Sequence, residues 1–526
     1  MIKQMRLSLT TTREITTAVA RGPRILIRSP HFSTTTIIYP ARTRRALLTC
    51  NLGNTVPGAR FATTTTTTTT TANITAQPFD ISSNMATTKK IQLSPQTDIG
   101  VWSTGVTEDS ARMASEVLQE DLEKHHVFFN EMGFHNHIVH HILTIYALGA
   151  SPSEIKAAYD RNKAYQRPTL PVDESVVQSL HDKAKFKECL GKEKNYPNFL
   201  EFFQREIEHK GVEKVLCEYV FSGDENAESM LARLFGGLLH PFIHFGFAIE
   251  FNQPALIAEA LAQMTVHEQW TGPRFLWPAE KAAGGIGKPG KKTMLQLLEE
   301  ARADKKLASS VLWEDGNKLR DGVLKRAPEE MIKYASQYTV SEDQIQEKFA
   351  EMVDVSVYFT SASQRPSKEV KFDFFYIHTV NSSVFYSKIL ALPFLDTRTK
   401  LRLLEWKGRM DLMMYISRNA PELYLDEITR YPIKSDWDTI ITQSNRHPYD
   451  DGHLAKLVRA LRNAENVCRP YEGQEKERGL KITGDSWLKI GNMVSDSVKG
   501  KGEKTMWIRS TGFDEAWEQF EDRARL

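Results

Sequence analysis

The stretch from Leu231 to Phe251 is the most apolar run in the chain, yet it contains Arg233, His240, Pro241, His244 and Glu250. A segment this apolar must be buried. Ionisable residues at this frequency suit the interior of a large water-soluble protein better than a bilayer. No stretch of about twenty apolar residues occurs elsewhere, so no membrane span is expected. The chain must therefore build a core large enough to enclose such a segment, and 526 residues are enough for that.

Apolar residues recur mainly at helical rather than alternating spacing. Helices are expected over Glu108–His126, Ile138–Leu148 and from Ser153 to Tyr159 onward. Further ones are expected over Phe199–Tyr219, Glu225–Phe251, Pro254–Val266, Thr293–Lys305, Ser341–Thr360, Phe372–Leu392, Leu401–Ser417 and Gly452–Asn466. Strand-like alternation is rare. The expected fold class is mainly α: a single large helical domain over residues 92–526 with a disordered extension over 1–91. The first 79 residues carry ten Lys or Arg, the single acid Glu14 and a nine-residue Thr run, Thr63–Thr71. Such a segment cannot bury a core. It reads either as an organelle transit peptide or as an over-extended start, with Met85 opening a second beginning. An intracellular, cytoplasmic placement is expected, or a mitochondrial one if the extension is native.

Net charge is +2, which gives no electrostatic pull toward nucleic acid. The cysteines Cys50, Cys189, Cys217 and Cys468 form no C-x-x-C pair, which argues against a disulfide framework and a cysteine zinc site. Gly285–Gly290 matches G-x-G-x-x-G by letter, but no strand precedes it and Pro289 interrupts the turn, so a surface loop is expected. A flavin or nicotinamide domain is not visible. No oligomeric state is read from the sequence.

The histidines carry more. His137 and His141 are four apart within a cluster that begins at His135, and His240 and His244 are also four apart. That spacing leaves two imidazoles about 40° apart around a helix, close enough to share a metal. His378 lies in the apolar Phe374–Val380, and His453 and Lys456 share one face of a helix. Taken singly, each histidine reads as a hydrogen-bonded core residue and Lys456 as a surface one. Recurrence in several apolar segments favours a common partner, because burying imidazoles without partners costs free energy.

These segments resemble the questin oxidase-like family. The resemblance is carried by Asn136-His137 ahead of Tyr146–Gly149, Gly236–His240, His378 in its apolar helix, Leu404–Arg409, Gly452–Lys456 and Gly512–Trp517. It implies a fungal oxygenase of polyketide metabolism acting on an anthraquinone or related aromatic ketone. The reaction is a Baeyer–Villiger oxygen insertion or an oxidative ring cleavage. It further implies a non-haem Fe(II) centre using O2, with four histidines and a carboxylated lysine. Ligands would be drawn from His137, His240, His244, His378 and His453, with Lys456 as the modified lysine. That is five histidines for four places, and His244 ranks as the alternative. NADPH is associated with the family reaction; without a nucleotide motif it would reduce substrate or iron with no dedicated site. Phe242, Phe245, Phe247 and Tyr376 read either as pocket walls or as plain core. Two other readings stand beside this one: a flavin- and NADPH-dependent Baeyer–Villiger monooxygenase, and a non-enzymatic helical binding protein.

Overall fold

The computed structural model describes residues 86–523. The expected extension therefore lies, up to residue 85, outside the described residues. The longer helices are α1 (Glu108–Lys124), α2 (Ile138–Ala147), α3 (Pro152–Lys163), α4 (Tyr196–Lys210), α5 (Glu225–Leu234), α6 (His240–Glu250) and α7 (Pro254–Val266). They continue with α8 (Met294–Ala303), α9 (Ile345–Ala362), α10 (Tyr376–Ser383), α11 (Thr397–Ser417), α12 (Trp437–Asn445), α13 (His453–Cys468) and α14 (Ser486–Val498). Short helical turns join them. Among the described residues there is no strand, only isolated bridges. The chain is mainly α, as its periodicity predicts.

Helix starts follow from local chemistry. Thr107 and Ser151 close capping boxes with Ser110 and Glu154, which satisfies N–H groups that the first turns leave without partners. α2, α6 and α7 are buried on every side, so they have no polar face and form the centre of the molecule. The extended segment ahead of α1 is fixed by side chains: Ile91 N–H donates to Gln119 Oε1 at 2.8 Å and Leu93 N–H to Ser115 Oγ at 2.8 Å. No helix of the described residues is long and apolar enough to cross a membrane.

Three expected helices are broken. Phe199–Tyr219 divides at Gly211, and Phe372–Leu392 becomes helical only at Tyr376 and is interrupted before Tyr386. The largest difference lies in Glu225–Phe251, which splits at Phe235–Leu239. There Gly237, Leu238 and Leu239 all adopt left-handed backbone, at φ +49°, +56° and +65°. Two leucines in that region are strained by about 1–3 kcal/mol each. The break turns the chain so that His240 opens α6 instead of lying in mid-helix. α12 and α14 were not expected. The glycine-rich 285–290 stretch is a loop, tied down by Gly287 N–H to Glu405 Oε1 and Gly290 N–H to Gln344 Oε1.

Around the centre, α2 packs on α6, α6 on α10, α10 on α13, and α13 back on α2. This closed ring of four helices positions the site.

Candidate metal centre

Each helix of the ring brings one histidine at or near its N-terminus. His137 immediately precedes α2, His240 opens α6, His378 is the third residue of α10, and His453 opens α13. Their Nε2 atoms converge. His137 Nε2 lies 2.9 Å from His240 Nε2, and His453 Nε2 lies 3.3 Å from His378 Nε2. Ring centroids are 4.6 Å apart for His137 and His453 and 4.9 Å for His240 and His378.

The opposite nitrogens decide what this contact means. His240 Nδ1 lies 2.7 Å from the Gly237 carbonyl, and His378 Nδ1 lies 2.6 Å from the Phe374 carbonyl. Asp451 takes the other two, at 3.2 Å from His137 Nδ1 and 2.6 Å from His453 Nδ1. Oxygen acceptors at all four Nδ1 atoms assign the proton to that side of each ring. The lone pairs of His137 and His240 then face each other, as do those of His378 and His453. Two lone pairs at 2.9 Å repel unless a proton or a cation lies between them. Protonation is opposed by burial, which holds His240 and His378 well below the usual histidine range, lowers His137, and brings His453 to about 3.

A cation fits the spacing. With metal–nitrogen bonds of about 2.0–2.1 Å, ligand angles of about 90–110° place nitrogens about 2.9–3.4 Å apart. His137, His240 and His453 could hold one ion together; His378 lies outside that group of three and touches it through His453 Nε2 at 3.3 Å.

Lys456 lies one turn along α13 from His453, buried, with Nζ 3.5 Å from His140 Nδ1. Burial lowers its pKa to about 8, although Asp451 and Asp450 act the other way. His244 does not join the four. Its Nε2 faces Glu259 Oε2 at 3.2 Å, and Glu259 Oε1 accepts from Tyr196 OH at 3.3 Å. The rest of the early histidine cluster surrounds the centre. His135 stacks on His240 at 4.0 Å and meets His267 Nε2 at 2.8 Å, while His141 accepts from Asn162 Nδ2 at 2.9 Å.

Sequence reading missed Asp451. It sits beside Asp450, which caps α13 through Leu454 N–H at 2.9 Å and Ala455 N–H at 3.1 Å. One Asp before a helix is an ordinary cap; the second, two residues ahead of a candidate histidine, was the signal. Partial desolvation pushes the Asp451 carboxyl up, but His453 and His137 outweigh that and hold it well below the usual carboxylate range. Of the two readings open for the aromatics, Phe242, Phe245 and Tyr376 take core packing. Phe242 stacks on Tyr386, Tyr376 OH donates to the Tyr415 carbonyl at 2.9 Å, and Phe245 is buried. Only Phe247 reaches the surroundings of the site, against His140. The ring beside the ligand candidates is Phe374, 5.0 Å from His378 and 4.9 Å from His453.

The questin oxidase-like sequence model matches residues 134–461, which contain all four histidines and Lys456. The chain is 42% identical to the Baeyer-Villiger oxidase ptaJ of Pestalotiopsis fici, over 78% of this chain and 93% of that protein. It is 39% identical to a questin oxidase of Aspergillus terreus, over 82% and 98%, and 38% identical to the oxidoreductase AflY of Aspergillus parasiticus, over 84% and 95%. On its sequence match and its helical architecture, this chain belongs to the questin oxidase-like family of oxidases.

Proposed function

We propose that the chain is a non-haem iron oxygenase acting on a polyketide-derived anthraquinone or related aromatic ketone. The observation that carries this reading is the convergence of His137, His240 and His453 on one point, with His378 beside them and an acceptor on the Nδ1 of all four. Neutral imidazoles suit Fe(II). Bound there, Fe(II) supplies O2 activation for oxygen insertion beside a ring carbonyl or for cleavage of the ring.

The residues of the chain do the remaining work. Asp451 keeps the Nδ1 protons of His137 and His453 in place, which aims both Nε2 lone pairs inward and raises their basicity. The Gly237 and Phe374 carbonyls do the same for His240 and His378. Lys456 is the source of an oxygen ligand. A buried amine near neutrality attacks CO2, forms an N–C bond, releases a proton and becomes a carbamate anion. The absence of Lys456 from every ion pair among the described residues supports that role, since a salt-bridged ammonium would not react. His244, engaged with Glu259, is assigned to the surroundings rather than the ligand set.

Metal analysis of the purified protein tests this. Stoichiometric iron that falls on His240→Ala and Lys456→Ala is the expected result. Full activity in metal-free protein would sink the reading, and iron retained in Lys456→Ala would remove only the lysine.

A further inference from the structure

The rim of the histidine centre carries an arginine with no polar partner among the described residues. Arg509 lies over the face of Phe374, its guanidinium carbon 4.2 Å from the ring centroid, and 6.0 Å from that of Phe375. Phe374 is itself the ring that packs on His378 and His453. Arg509 is thus one aromatic ring away from two of the four histidines. Among the described residues its guanidinium has no hydrogen bond and no ion pair, although Asp373 and Asp451 lie within electrostatic reach. Five N–H donors are therefore free at the edge of the site.

The position of Arg509 is built by its neighbours. The preceding residue, Ile508, pairs with the segment before α10: its N–H donates to the Phe372 carbonyl at 3.1 Å and its carbonyl accepts from Phe374 N–H at 2.8 Å. The following residue, Ser510, is buried and left-handed at φ +71°, a conformation a serine adopts only when its surroundings impose it. Thr511 N–H is held by Asp373 Oδ2 at 2.8 Å. Arg509 stays exposed while the residues on both sides of it are buried. An arginine fixed in backbone, stacked on an aromatic and left with free donors is suited to a planar anionic oxygen group.

We propose that Arg509, carried on Phe374, is the substrate-binding residue of this centre and recognises an ionised phenol on a flat polycyclic aromatic. The proposal rests on the function proposed above and adds to it the feature of the substrate that is read. A charge-assisted hydrogen bond from guanidinium to phenolate accounts for about tenfold or more in affinity. The aromatic wall accepts the ring system whether or not the phenol is present.

Equilibrium titration of the full-length protein, without O2, with 2-hydroxy-9,10-anthraquinone and its methyl ether tests this, read by the absorbance of the dye. The wild type is expected to bind the phenol at least tenfold more tightly than the ether. Arg509→Met should bring the ratio to within about twofold by weakening the phenol alone, and Arg509→Lys should restore part of it. Far-UV circular dichroism confirms that the variants are folded. A preference kept in Arg509→Met, or absent from the wild type, overturns the proposal. Iron analysis of the same preparations keeps the two readings apart: iron present with a ratio unchanged by Arg509→Met removes Arg509 alone, whereas a wild-type preference that Arg509→Met abolishes in protein without iron removes the iron alone.

Discussion

Asp451 Oδ1 lies 2.6 Å from His453 Nδ1, while Asp451 Oδ2 reaches His137 Nδ1 at 3.2 Å. One carboxylate thus sets the proton position of two histidines on two helices. Its side chain is 40% exposed, so the variant should fold. Asp451→Ala is expected to weaken metal binding by about 10–100-fold, read by competition with a chelator. Asp451→Asn should also weaken it, because its amide presents a donor to one Nδ1 and forces that proton to Nε2. Unchanged affinity in both variants would count against the assignment.

Gly452 precedes His453 at φ +105°, and a Cβ there would stand 2.8 Å from the Cβ of His141. Gly452→Ala combines backbone strain with a clash against a buried side chain. A loss of about 2–4 kcal/mol in urea unfolding is expected, accompanied by loss of metal. Gly237→Ala, whose Cβ would meet His267 Cε1 at 2.5 Å, should behave in the same way. Full stability in both variants would show that the turns ahead of His240 and His453 relax freely.

The Arg459 guanidinium pairs with the Glu250 carboxylate in the core, linking α13 to the end of α6. Removing one partner strands a buried charge, so Arg459→Met should cost about 3–5 kcal/mol. The double variant Arg459→Met/Glu250→Leu should recover most of that loss. Thermal unfolding of the three proteins checks it; a double variant no better than the single one would show that the pair itself is needed.

Burial raises the Asp354 carboxyl to about 7, even though it accepts from Lys481 N–H at 2.7 Å and Ile482 N–H at 2.9 Å. Its ordinary value is 3.8. Between those values the folded protein binds a proton that the unfolded chain does not. The contribution of Asp354 is therefore fully present below about pH 4 and lost as pH rises toward 7. Stability measured from pH 5 to 7.5 should fall less steeply in Asp354→Asn than in the wild type. Identical slopes would contradict this.

Much of the site was legible in the sequence because its ligand candidates are chemically out of place. His378 inside Phe374–Val380 stands out once its segment is read as core, whereas Lys456 reads as a surface residue and was reached only through the family resemblance. What periodicity could not show was direction. His240 and His244 share a helix face by spacing, but the left-handed turn through Leu238 and Leu239 makes His240 the first residue of α6 and leaves His244 to Glu259. Leucine gives no local warning of positive φ; tertiary packing imposes it. The role of Asp451 was hidden for a similar reason, since its partner His137 is 314 residues away. The helices α12 and α14 were short amphipathic segments without an unusual residue to draw notice.

The ring of four helices has one further consequence. It closes where α13 meets α2, so the centre is assembled from the beginning and the end of the domain at once. No contiguous half of the chain contains more than part of it. An ion held by His137, His240 and His453 together can bind only the completed fold, and its binding energy is then stability of the whole domain rather than of one region. Loss of the ion should lower the unfolding temperature in a single cooperative step, making heat resistance a report on whether the centre is filled.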